Sequence, residues 1–187
     1  MSSGPGRKLV LLRHAKSAWP DVPDQERPLA RRGRRDAPAM GRWMRAAGHL
    51  PDQVLCSTAR RARETWQLVQ PGLGVTPPVS FDADIYEASG ARLLELIRRA
   101  SPAARTILVV GHDPAVPELA VTLAATHGGT VSVAPSAMSD RMRAKFPTAA
   151  IAVLEFTGTW NQLAPGSARL TCFVTPRELL ASEGAHR

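Results

Sequence analysis

The chain has 187 residues, 44% of them hydrophobic, which suits one α/β domain with a sizeable core. Its formal net charge is +8, from 24 Lys and Arg against 16 Asp and Glu, and only Lys8, Lys16 and Lys145 of those cations are lysine. No apolar run is long enough to span a membrane, residues 1–6 hold no secretory apolar region, and the basic residues are not interleaved with aromatics. These features speak against a membrane protein, a secreted one and a nucleic-acid binder, and the expected place is the cytoplasm. A positive field that steers acidic partners fits the charge, although an Arg- and Ala-rich genome produces the same excess.

Residues 1–7 read as a flexible leader. Leu9-Val10-Leu11-Leu12 is a short apolar run with polar flanks, the pattern of a buried strand over 8–13. Residues 18–32, with Pro20, Pro23 and Pro28, are too proline-rich for regular structure. Asp24 and Arg27 there read equally as an ion pair or as two solvated charges. A helix is expected over 33–48, with Ala37, Met40, Met44 and Ala47 inward and Pro38 tolerable near its first turn. Residues 53–56 form the second strand. Ser57 or Thr58 then caps a helix to about Val69, with Ala62, Trp66 and Val69 inward, before a Pro/Gly loop over 70–78.

Residues 79–81 suit a short edge strand, 82–87 an acidic loop, and 91–100 a helix with Leu93, Leu94, Ile97 and Ala100 inward. The clearest strand is 106–110. Asp113-Pro114 reads as N-cap and first helical position of a helix over 115–125, with Val116, Leu119, Ala120, Leu123 and Ala124 inward. Residues 126–134 are Gly-rich without a pattern, and 136–145 suit a short amphipathic helix. Residues 149–156 and 169–174 are two strands, either a hairpin or neighbours. Alternating strands and helices predict a single α/β domain with a mainly parallel central sheet and helices on both faces. Cys56 and Cys172 fall in strand-like contexts and read as buried thiols rather than a disulfide.

Chemistry gathers where these strands end. In open α/β sheets, ligands bind beyond the carboxyl ends of the strands. Arg13-His14 follows the first strand, Gly111-His112 follows the strand over 106–110, and an Arg-rich stretch, Arg60-Arg61-Ala62-Arg63, follows the second. Two imidazoles and at least two guanidinium groups converging there suit a dianionic phosphate, which Arg binds through a planar fork of donors. Other chemistries lack their motifs. A cysteine-phosphatase loop needs Arg six residues after Cys, and Ala62 stands there after Cys56. The five histidines, His14, His49, His112, His127 and His186, include no i, i+4 pair for a zinc helix, and no Gly-rich phosphate loop occurs.

Arg13-His14, Ser57-x-x-x-Arg61-Ala62-x-x-Thr65 and Gly111-His112 together resemble the histidine phosphatase superfamily, which includes the phosphoglycerate mutases. The finer resemblance is to the small SixA-type phosphohistidine phosphatases. It is carried by Arg13-His14-Ala15-Lys16-Ser17-x-Trp19, Asp24-x-x-Arg27-Pro28-Leu29-x-x-x-Gly33, Gly111-His112-Asp113-Pro114 and Phe146-Pro147-Thr148-x-x-Ile151-Ala152-Val153-Leu154. It places the domain at 8–176 and leaves 177–187 as a C-terminal tail. It implies that His14 attacks phosphorus and becomes phosphohistidine, which water then hydrolyses. Arg13, Arg61 and His112 would hold the phosphoryl oxygens. The Ser-x-x-x-Arg-Ala-x-x-Thr spacing selects Arg61 over Arg60 and Arg63. Ser17 reads equally as a phosphate contact and as a loop cap.

The departures matter as much. The mutases carry Arg-His-Gly-Glu-Ser-x-x-Asn, where this chain has Ala15, Lys16 and Pro20 at the Gly, Glu and Asn positions. Their acidic motif is missing, and Glu87 and Asp84 are the nearest candidates for a general acid. An alkoxide leaving group needs a proton, whereas imidazole leaves readily, so the missing acid favours phosphohistidine over phosphoglycerate. The expected activity is that of a metal-independent, cofactor-free phosphatase acting on phosphohistidine in a protein partner. The alternatives are a phosphomonoesterase of small molecules on the same fold and a non-catalytic phosphate-binding module. The oligomeric state is not legible.

Overall fold

Residues 6–124 and 137–184 are described by the computed structural model. The expected leader up to Pro5, the Gly-rich stretch over 126–134 and the last three residues lie outside them. Strands Gly6–Arg13 (β1), Gln53–Ser57 (β2), Val79–Asp82 (β3), Thr106–Gly111 (β4), Ile151–Thr157 (β5) and Arg169–Val174 (β6) form one sheet in the order β3-β2-β4-β1-β5-β6. The first four strands of that order are parallel neighbours. β5 runs antiparallel to β1, and β6 antiparallel to β5. The sheet is therefore mainly parallel, and the short strand at 79–82 is an edge as its length suggested.

The apolar runs divide by alternation between the two faces of the sheet. Val10, Leu12, Leu108, Val110, Ile151 and Val153 meet helices Arg31–Ala46 (α1) and Arg60–Leu73 (α2). Leu9, Leu11, Ile107, Val109, Ala152 and Leu154 meet Gly90–Arg98 (α3) and Ala115–Ala124 (α4). All twelve side chains are fully buried, which is why the strands read as unbroken hydrophobic runs rather than alternating ones. Two further helices, Ala137–Ala144 (α5) and Pro176–Gly184 (α6), lie beside β6 and α1 respectively. The stretch read as a tail thus carries α6.

Several local expectations shift. β1 begins at Gly6, and the buried Arg7 guanidinium donates to the carbonyls of Pro102, Ala104 and Gly158. α1 begins at Arg31 and ends before Ala47, which is exposed. α2 is preceded by Ala59 rather than by a capping Ser57 or Thr58, and it runs through Pro71 to Leu73. Packing against α1 overrides the Pro-Gly signal there. A Cβ on Gly41 would lie 2.1 Å from the Val69 carbonyl oxygen, and one on Gly72 would lie 2.8 Å from the Arg42 nitrogen. The two helix backbones touch where only glycine fits. Ala100 lies past the end of α3 and is half-buried, as is Ala124 at the end of α4. α4 starts at Ala115, one residue beyond Pro114.

Cys56 is buried and Cys172 half-buried, both as free thiols, and burial pushes Cys56 up to about 12. Among the described residues, no helix is long and apolar enough to cross a membrane.

Candidate active site

β1 and β4 are hydrogen-bonded neighbours with Arg13 opposite Gly111, so the residues that follow them, His14 and His112, emerge side by side. The His14 amide donates to the Gly111 carbonyl at 2.9 Å, and the two imidazole centroids lie 5.1 Å apart. Sequence separation of about a hundred residues disappears in one strand pairing. Gly111 contributes space rather than an unusual turn: a Cβ there would lie 2.9 Å from Val116 Cγ2.

His14 is buried, and its Nδ1 lies 2.8 Å from the Ala15 carbonyl. A carbonyl only accepts, so Nδ1 carries the proton and Nε2 keeps its lone pair. Burial, the neighbouring His112 and the Arg61 and Arg13 charges together lower its pKa to about 3. Those causes all disfavour the imidazolium, and His14 is neutral at neutral pH. His112 is lowered to about 4, first by burial and then by Arg61. Its Nε2 lies 2.7 Å from Ser57 Oγ, while its Nδ1 is buried without a partner. Ser57 is fully buried and also accepts from the Ala59 amide, so it orients His112 from behind.

Helix α2 turns Arg61 inward and Arg60 and Arg63 outward. Arg61 is 7% exposed, whereas the Arg60 guanidinium pairs with Glu64 on the surface. Thr65, one turn on, accepts from the Ala15 amide at 2.9 Å and donates to the Arg61 carbonyl at 2.6 Å. This threonine ties the helix to the backbone just past His14, which accounts for the Ser57-x-x-x-Arg61-Ala62-x-x-Thr65 spacing. Gly33 does similar work for α1, since a Cβ there would lie 2.3 Å from the Lys16 carbonyl oxygen.

Arg13 reaches away from β1 to the Phe146 carbonyl (2.6 Å) and the Asp113 carboxylate (3.2 Å), and its Nε is buried without a partner. Asp113 therefore faces Arg13. Of three buried side-chain nitrogens without a partner among the described residues, two belong to Arg13 and His112, and the third is His49 Nδ1.

The proline-rich loop brings Asp24 and Arg27 to the site. Asp24 accepts from Arg27 Nη1 (2.9 Å) and from Arg61 Nη2 (3.0 Å), and its backbone carbonyl accepts from Arg61 Nη1 (2.7 Å). Tyr86, the chain's one tyrosine, donates its hydroxyl to Asp24 and sets its ring edge-on to His112 at 5.6 Å. These bonds hold the Asp24 carboxyl well below the usual carboxylate range, the Tyr86 contact first. Ser17 is buried and accepts from Arg27 Nη2 at 2.7 Å, which makes it a brace of this loop. Tyr86 stands in the chain between the candidate acids Asp84 and Glu87. Asp84 is exposed and paired with Arg92, off the pocket. Glu87 is exposed but lines the pocket, a hollow of about 410 Å³ shared with Asp24, Arg61, Tyr86, His112 and Asp113. No group of three or more His, Cys, Asp or Glu among the described residues is arranged to hold a metal.

Comparison with known proteins bears on the family and the fold. Residues 9–93 match the model of the histidine phosphatase superfamily, branch 1. The uncharacterized Mycobacterium tuberculosis protein Rv1276c is 42% identical over 167 residues, covering 89% of this chain and all of that one. A structure named for the phosphohistidine phosphatase SixA of Nakamurella multipartitia superposes with a TM-score of 0.83 at 33% identity, covering 94% of this chain and 99% of that one. A second SixA-named structure, from Agrobacterium tumefaciens, gives 0.70 at 26% identity, covering 91% and 98%. The chain belongs to the histidine phosphatase superfamily and to its SixA-type branch.

Proposed function

We propose that this chain is a metal-independent phosphatase that carries the phosphoryl group on His14 and acts on phosphohistidine in a protein partner. The observation that carries the reading is the state of His14: a buried, neutral imidazole whose Nδ1–H is spent on Ala15, leaving the Nε2 lone pair to attack. Nε2 bonds to phosphorus as the phosphorus–nitrogen bond of the substrate breaks. The leaving imidazole departs neutral when its other ring nitrogen holds a proton. Water then attacks the phosphohistidine, phosphate leaves, and His14 is restored.

Arg61 and Arg13 neutralise the phosphoryl oxygens. Ser57 Oγ already accepts from the Ala59 amide, so its own proton goes to His112 Nε2, and the unpartnered Nδ1 is left as the donor to a phosphoryl oxygen. The pocket is open at its rim, where the Asp24 and Asp113 side chains are about half exposed (50% and 48%). An open rim suits a side chain presented by a macromolecule better than a small ester that must be enclosed. That the two SixA-named structures are so similar at 33% and 26% identity supports the same substrate class. No step uses a metal or cofactor.

Glu87, on the pocket wall, is the observation that favours the second reading, a phosphomonoesterase with a carboxylic acid catalyst. Leaving-group dependence separates the two. Assayed in excess chelator, the chain should hydrolyse phosphoimidazole and aryl phosphates and turn over simple alkyl phosphates poorly. Glu87→Ala should leave phosphohistidine hydrolysis nearly unchanged. Fast alkyl-phosphate turnover that collapses in Glu87→Ala would establish the second reading, and loss of all turnover on chelation would contradict metal independence.

A further inference from the structure

A second, larger cleft of about 640 Å³ opens beside the pocket. Arg32 and Arg35 of α1, Arg141 and Lys145 at α5, and Arg177 of α6 line it, against one carboxylate, Asp36. Asp36 is buried and answers Arg32 and Arg35, and Glu178 takes Arg141. Among the described residues, no carboxylate pairs with Lys145 or Arg177, and both are exposed. The floor is apolar, with Phe173, Ala144 and Leu180.

The position of the cleft gives it meaning. β6 runs parallel to β1 two strands away, with Val174 paired to Ile151 and Ile151 paired to Leu12. The cleft residues Thr175 and Pro176 thus follow β6 at the same end of the sheet at which His14 follows β1. Two strand spacings amount to about 10 Å, or about three residues of extended chain. One segment links the cleft to Arg13 and His14. Pro147 and Thr148 line the cleft, while Phe146 accepts from Arg13 and the Ala149 amide donates to the Arg13 and His14 carbonyls. A chain laid along this end of the sheet covers both.

We infer that this cleft docks an acidic segment of the phosphorylated protein, about three or more residues from the residue whose phosphoryl group enters the His14 site. The inference rests on the reading of the chain as a protein phosphohistidine phosphatase. Carboxylates meet Lys145, Arg177 and the arginines on the walls, and an interspersed apolar side chain rests against the half-buried Leu180. An acidic peptide fits better than a nucleic acid, because the floor is a phenylalanine in the core rather than an exposed stacking platform. Charge complementarity of this kind acts through encounter and specificity, so it weakens as salt rises.

Two synthetic phosphohistidine peptides of equal length test it, one flanked by Asp, Glu and Leu and the other by Asn, Gln and Leu. At low salt the wild type should favour the acidic peptide about tenfold or more in kcat/KM, through KM, and lose the preference at high salt. Lys145→Glu/Arg177→Glu should abolish the preference while phosphoimidazole turnover stays at the wild-type rate. Lys145→Ala/Arg177→Ala serves if the charge reversal fails to fold. No preference in the wild type, or its survival in the variant, would overturn the inference. Tighter binding of a short DNA duplex than of the acidic peptide, lost in the same variant, would overturn it in favour of nucleic acid. If the wild type hydrolyses neither peptide, the phosphatase reading fails instead. The cleft is then judged by the binding of the unphosphorylated acidic peptide: binding lost in the variant supports it, and no binding overturns it.

Discussion

Asp24 holds Arg61 by two atoms, its carbonyl oxygen at 2.7 Å and its carboxylate at 3.0 Å. The guanidinium read as a phosphate clamp is thus already aimed and already neutralised by an anion on a half-exposed loop. Tyr86 and Arg27 fix that anion from the other sides. A phosphate entering the pocket meets a positioned arginine but competes with a carboxylate for its charge.

Asp24→Asn separates those two effects. The backbone bond to Arg61 survives, while the competing negative charge is removed. Inhibition by inorganic phosphate should therefore strengthen, with a Ki several-fold lower than that of the wild type, and kcat should fall because Arg61 is held less firmly. Weaker phosphate inhibition in Asp24→Asn would show that the carboxylate does not compete with the ligand.

The pH dependence follows from His14 at about 3 and His112 at about 4, both below the ordinary 6.5. A depressed histidine is neutral in the folded chain where the unfolded chain already binds a proton. Its stabilising effect is full above about pH 6.5 and is lost as pH falls toward the folded values. Each histidine adds a slope of up to about 1.4 kcal/mol per pH unit in that window. Asp24, also depressed, adds to the loss only below the ordinary carboxylate range. Thermal melts should show stability falling between pH 6.5 and 4.5, with a shallower slope in His14→Asn. The acid limb of kcat/KM should lie below pH 5. An acid limb at 6.5 would mean that His14 is not held neutral by its surroundings.

Arg61 and Arg60 are neighbours in sequence with opposite surroundings. Arg61 is buried against the pocket, and Arg60 makes an exposed i, i+4 pair with Glu64. Removing a donor that stabilises transition-state charge typically lowers kcat by about a hundred- to a thousandfold. An exposed helix pair is worth about 0.3–0.5 kcal/mol. Arg61→Ala should therefore cost at least about a hundredfold in kcat, and Arg60→Ala less than about threefold, in steady-state assays. Equal losses would contradict the orientation of α2.

The sequence carried the strands and their terminal histidines because apolar β-rich runs of fixed length state both the element and its end. The Ser-x-x-x-Arg-Ala-x-x-Thr spacing of the resemblance points to Arg61 among Arg60, Arg61 and Arg63, and α2 turns that residue inward. Tyr86 was not legible as part of the site. Its role comes from a hydroxyl reaching a carboxylate 62 residues away, which leaves no periodic or charge pattern. The flanking carboxylates carry the legible charge instead, and Asp84 serves Arg92. Asp24 and Arg27 are legible as a local pair and as part of the SixA-type resemblance, but their further partners, Arg61 for Asp24 and Ser17 for Arg27, come from other elements. The end of α2 is hidden for a similar reason: Gly72 reads as a breaker and is a contact with α1.

The central claim is that the phosphoryl group passes through His14, and trapping the intermediate tests it most directly. Acid-labile, alkali-stable label should appear on the wild-type chain during rapid mixing with radiolabelled phosphoimidazole and rapid quenching in alkali. Peptide mapping should place the label at His14. His14→Ala, which removes the acceptor from a core otherwise unchanged, should show no label and no turnover while melting as a folded protein. A folded His14→Ala chain that still hydrolyses the substrate at near the wild-type rate, or label mapped to another residue, would contradict the account.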